Sequence, residues 1–116
     1  MSPASSADLV VAGAAPVFAA LGDETRLALV SRLCAGGPLS IARLSAGSAV
    51  TRQAITKHLH VLQDAGLVAS LRVGRESRFA ARRETIDEAR AYLDRVSGLW
   101  DDTLGRLRAF VEDSAP

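Results

Sequence analysis

The segment TRQAITKHLHVLQDAG, residues 51 to 66, can fold in few ways. Ala54, Ile55, Leu59, Leu62 and Ala65 recur at the spacing of one helix face, while Arg52, Gln53, Thr56, Lys57 and His60 stand opposite. Thr51 can cap the start with its hydroxyl, and Gly66 supplies the left-handed residue that ends such a helix. The aliphatic row demands a core. The basic and amide row demands water or a polar partner.

After Gly66 the period drops from that of a helix to two. LVASLRVGRESRFAA reads as strands Val68–Val73 and Ser77–Ala81 around a tip at Gly74, Arg75 and Glu76, with Leu71, Val73 and Phe79 as apolar alternates. Upstream, Pro16 suits the first turn of a helix ending at Leu21, and Gly22 stops it. Asp23 can cap a helix over 23–35 with Leu27, Val30 and Leu33 as its buried stripe; Gly36, Gly37 and Pro38 end it. Ser40 opens a short helix over 40–46 carrying Ile41, Ala42 and Leu44, broken by Ala46, Gly47 and Ser48. Residues 1–8, rich in Ser, Ala and Pro, read as a flexible tail, and 9–116 as a single domain.

The last element, about residues 85–112, opens on a capping box of Thr85 and Glu88. Ile86, Ala89, Leu93, Val96, Trp100, Leu104, Leu107 and Val111 form its main row, and Tyr92, Leu99 and Phe110 lie beside it. One domain of this size cannot cover them all, so the helix wants a second chain, with Leu93, Val96, Trp100, Leu104, Leu107 and Val111 at the interface. Gly98 and Gly105 each weaken the helix by about 1 kcal/mol relative to Ala and offer room for a neighbouring helix.

The overall charge of +1 conceals an uneven spread. Residues 1–42 are net −1, residues 43–83 net +6, and residues 84–116 net −4. A cationic excess confined to the middle of the chain points to a polyanion, phosphate above all. A single cysteine, Cys34, excludes an internal disulfide and reads as a small buried hydrophobe; with no apolar run of membrane length and no basic residue before LVVAGAA, a cytoplasmic protein is expected.

The short helix, the break at 46–49 and the long helix after Thr51 have the layout of a helix-turn-helix. In that motif the N-terminal side chains of the second helix enter the major groove, where Arg pairs with guanine and Gln with adenine. Arg52, Gln53 and Thr56 are therefore assigned to base edges, with phosphate an alternative for Arg52. Thr51, Lys57 and His60 are assigned to the DNA backbone, as are Arg75 and Arg78 of the hairpin. Arg72, Arg82 and Arg83 lie further off, with a DNA contact and a plain surface position as the alternatives. His58 and His60 project about 200° apart and cannot hold one ion; His58 reads as packed at the core edge.

FAALGDETRLALVSRL (18–33), LSIARL (39–44), VTRQAITKHLHVLQDAGLV (50–68) and GRESRF (74–79) occur in the order found in the ArsR-type winged helix-turn-helix regulators, and the chain resembles that family over about residues 16–112. The resemblance implies a mostly helical fold with a small β-hairpin and a homodimer paired through its first and last helices. It further implies a repressor on an imperfect palindrome of double-stranded DNA, with the recognition helices about 34 Å apart. Metal-sensing relatives carry a cysteine pair in the short helix, where this chain has Ser40 and Ala42, and His with carboxylates in the last helix, which here lacks His. No metal or other cofactor is expected, and nothing forms a nucleophile with a base or a phosphate-cradling glycine loop, so an enzyme is not expected. Two further readings stay open: a protein-interaction winged helix that uses the apolar last helix without reading DNA, and a small-molecule effector held near Tyr92 and Trp100.

Overall fold

The computed structural model describes residues 6–114; the first five residues of the expected tail lie outside them. Five helices and three strands follow in the order α1 (Ser6–Leu21), α2 (Glu24–Gly36), β1 (Leu39–Ser40), α3 (Ile41–Ser45), α4 (Arg52–Asp64), β2 (Val68–Val73), β3 (Glu76–Ala81) and α5 (Arg83–Asp113). The strands form one antiparallel sheet in the order β1-β3-β2.

The core is aliphatic, as the sparse aromatic content requires. Val17 and Ala20 of α1, Leu29, Val30 and Leu33 of α2, Leu44 of α3, and Ile55, Leu59 and Leu62 of α4 meet Leu67, Val68 and Phe79. Asp23 caps α2 by accepting from the Arg26 backbone N–H at 3.0 Å. At the end of α4, Gly66 takes φ 79° and the Leu67 N–H returns to the Leu62 carbonyl at 2.9 Å, the bond that closes a Schellman turn.

Several expectations are corrected. Pro16 lies inside α1, which begins at Ser6 and so takes up the end of the expected tail; packing against α2, α4 and α5 holds the helix through the missing N–H. On α2 the buried row is Leu29, Val30 and Leu33, whereas Leu27, roughly 110° round from its centre, is 52% exposed. Cys34 is exposed, not buried. The capping box does not form: α5 starts two residues earlier, at Arg83, because the Arg82 N–H still belongs to the sheet, bonding the Leu67 carbonyl at 2.9 Å. Thr85 is left buried in the first turn, facing Gly66.

The hairpin turns on two residues, Gly74 and Arg75, since Val73 pairs with Glu76. Gly74 alone has positive φ, 65°, which is the type II′ arrangement. Register also separates the apolar alternates. Phe79 shares a face with Ser70 and Leu39 and is buried, while Leu71 and Val73 share the other face with Arg78 and Glu76 and stay exposed.

No helix among the described residues is long and apolar enough to cross a membrane.

Candidate nucleic-acid interface

The short helix that precedes the basic row is held at both ends. Ser40 caps α3 by accepting from the Arg43 N–H at 3.1 Å, and the Arg32 guanidinium covers the far end, donating to the carbonyls of Leu44 at 2.7 Å and Arg43 at 3.1 Å. The connection to α4 turns at Gly47, φ 70°, and is braced by the Ser48 hydroxyl accepting from the Val50 N–H at 3.0 Å. Thr51 then caps α4, its hydroxyl accepting from the Ala54 N–H at 3.1 Å. Ile55, Leu59 and Leu62 are 0–1% exposed, so the opposite face of α4 must look outward.

Arg52, Gln53, Lys57 and His60 lie on that outward face and are exposed, as is Thr51 at its start. Thr56 shares the face but is half-buried, and its hydroxyl donates to the Arg52 carbonyl at 2.8 Å, leaving only acceptor capacity free. Arg75 is exposed at the hairpin tip. Arg78 is not free: its guanidinium meets the Glu76 carboxylate at 3.1 Å. The Ser40 hydroxyl, and then Arg78, hold the Glu76 carboxyl below the usual carboxylate range.

The basic stretch is thus more sharply divided than its sequence. Arg82 pairs with Glu84 at 2.9 Å and Arg83 with Asp87 at 3.6 Å. Among the described residues, no acid pairs with Arg43, Arg52, Lys57, Arg72 or Arg75, and these remain available to an outside anion. His58, at the edge of the core, faces Arg26 and Asp23. No group of three or more His, Cys, Asp or Glu side chains among the described residues is arranged to hold a metal.

The second exposed surface is apolar. Leu93, Val96, Trp100, Leu104, Leu107 and Val111 of α5 are 43–60% exposed, and Leu99 and Phe110 join them. Gly98 and Gly105 lie on the other, polar side of α5 with open space around them. A groove of about 320 Å³ between α1 and α5 is lined by Gly13, Ala14, Val17, Ala89 and Tyr92; Trp100 lies outside it.

A helix-turn-helix domain family matches residues 21–70, the segment from the end of α1 through the start of β2. The structure superposes on an ArsR-like transcriptional regulator from Rhodococcus sp. RHA1 with a TM-score of 0.77 and 39% identity, over 85% of this chain and 92% of that one. A possible transcriptional regulator for arsenical resistance gives a TM-score of 0.62 and 31% identity over 87% and 97%. An uncharacterized helix-turn-helix transcriptional regulator of Bacillus subtilis, YuzN, is 43% identical over 65 residues, 51% of this chain and 71% of that protein. With a helix-turn-helix, a hairpin wing and these relatives, the chain belongs to the ArsR family of DNA-binding transcriptional regulators, which are not enzymes.

Proposed function

We propose that the chain acts in the cytoplasm as a homodimeric repressor that binds an imperfect palindrome through α4 and the β2–β3 wing. The observation that carries this reading is the outward row of α4, cationic and unpaired with any acid of its own domain. Arg52, Gln53 and Thr56 contact base edges. Thr51, Lys57, His60 and Arg75 contact phosphates, and Arg78 does so after leaving Glu76. The second copy covers Leu93, Val96, Trp100, Leu104, Leu107 and Val111, which brings two recognition helices to the same side of the duplex about 34 Å apart. The acidic polar side of α5 then faces away from DNA.

Footprinting on genomic fragments at low salt tests this. Two protected half-sites one helical turn apart are expected, and complete absence of protection would sink the proposal. Replacing Arg52 or Gln53 by Ala should cost about 1–3 kcal/mol at one base position, whereas Arg75→Ala should weaken all sequences alike. Mass in solution separates the rival: a monomer that needs a foreign protein to cover α5 would replace the dimeric repressor.

A further inference from the structure

One polar cluster behind the reading face joins three helices. Arg26 sits in the first turn of α2, where the Asp23 carboxylate accepts its backbone N–H. From there the side chain turns back toward α1: Nε donates to the Ala20 carbonyl, and Nη2 reaches the Ala19 carbonyl at 3.5 Å. Both carbonyls belong to the last turn of α1, which lacks the intrahelical donors available further back. The Gly22 N–H covers Ala19 at 3.3 Å, so Ala20 depends on Arg26.

The remaining arm of the fork crosses to α4. Arg26 Nη1 lies 3.3 Å from His58 Nδ1, and Asp23 Oδ2 is 3.8 Å from the same nitrogen. A guanidinium has donors only, so Nδ1 accepts and the ring proton belongs on Nε2. His58 stands between Lys57 of the outward row and Leu59 of the buried one.

We infer that Arg26 and His58 are positioning residues for DNA recognition, tying the last turn of α1 to the middle of α4 and so fixing the attitude in which Arg52 and Gln53 are presented. The inference rests on reading α4 as the recognition helix. Apolar burial of Ile55, Leu59 and Leu62 chooses the face of α4 that looks outward but is non-directional in detail; a planar fork bonded at two points to α1 and at one to α4 adds a directional restraint on its roll and slide. Because α1 also packs on α5, the tie links the helices proposed to dimerise with the helix proposed to read bases.

Two substitutions at one site separate positioning from bulk structure. Asn at position 58 can place its amide oxygen where Nδ1 now accepts, whereas Leu fills similar space without an acceptor. His58→Leu should lower affinity for the footprinted operator about tenfold or more, the scale of one hydrogen bond to a charged group, while binding to an unrelated duplex stays unchanged. His58→Asn should remain within about twofold of the parent on both duplexes. Long-range ¹H–¹⁵N correlation on the free protein should find the neutral ring protonated on Nε2. An equal loss in both variants, an unchanged ratio of operator to unrelated binding in His58→Leu, or a proton on Nδ1 overturns the inference. Should the parent show no operator preference, the repressor reading fails by itself and the tautomer still decides the tie: Nε2–H keeps it, Nδ1–H removes it.

Discussion

Helices α4 and α5 carry the same kind of pattern, an apolar row at helical spacing with polar residues opposite, yet they meet opposite fates. In α4, Ile55, Leu59 and Leu62 are 0–1% exposed; in α5 the row from Leu93 to Val111 is 43–60% exposed. The row on α5 does not change direction where burial ends. Ile86 and Ala89 pack on the core, and Leu93, Val96 and Trp100 continue the same face past the end of the domain. At 31 residues α5 is about 46 Å long, and the radius of gyration of 19.8 Å far exceeds the roughly 13 Å of a compact chain this size. Periodicity therefore names the side of a helix that must be covered, and only the length of the neighbouring elements decides whether the chain itself can cover it.

The comparison is broken most directly by substitutions in each row. Leu59→Ala removes a side chain with no exposure and should destabilise the fold by about 2–5 kcal/mol in denaturant titration. A near-neutral result would mean that α4 is not the pillar of the core. On α5 the corresponding test is charge: Val96→Glu combined with Leu104→Glu should leave helix content near that of the parent but give a monomer by sedimentation. Operator affinity should then fall about 100-fold or more, since two linked half-sites become two independent ones. A double variant that stays dimeric would place the self-association surface elsewhere.

How far each row could be read in advance follows from the same contrast. The helices α2 to α4 and the hairpin were legible because caps, glycines and period changes are local signals: Asp23, Ser40 and Thr51 each accept the N–H bond their position calls for. Failures came where a distant contact decides. Strand β1 has two residues, too short for any period, and exists because Leu39 pairs with Phe79. Thr85 looked like a cap, but the Arg82–Leu67 backbone bond moved the start of α5. Cys34 and Leu27 are apolar residues of a helix whose inner side is chosen by β3 and α4, and neither lies on that side. The basic stretch held a subtler error. Arg78, Arg82 and Arg83 count toward its excess, yet each lies beside an acid of the hairpin or of the start of α5, so the cations with no acid partner are fewer and closer to α4 and the wing.

That last point extends the comparison from apolar rows to charge, and Glu76 is where it can be sharpened. It is the one acid on the wing, it holds Arg78, and its carboxyl is kept below the usual range first by the Ser40 hydroxyl and then by Arg78. A depressed carboxyl stays ionised at every pH above its ordinary value of about 4.5, so protonation does not loosen the Arg78 pair near neutrality. At neutral pH a phosphate that approaches Arg78 therefore competes with the Glu76 carboxylate for its guanidinium. Glu76→Gln removes the competitor without shortening the side chain. Its affinity for any duplex should rise a few-fold at low salt, and its log–log salt dependence should steepen by close to one unit, as one more phosphate is neutralised. The gain should be constant from pH 6 to pH 8, where the parent's carboxylate does not titrate. A salt slope identical to the parent's would mean that Arg78 never leaves Glu76, and the wing would then touch DNA through Arg75 alone.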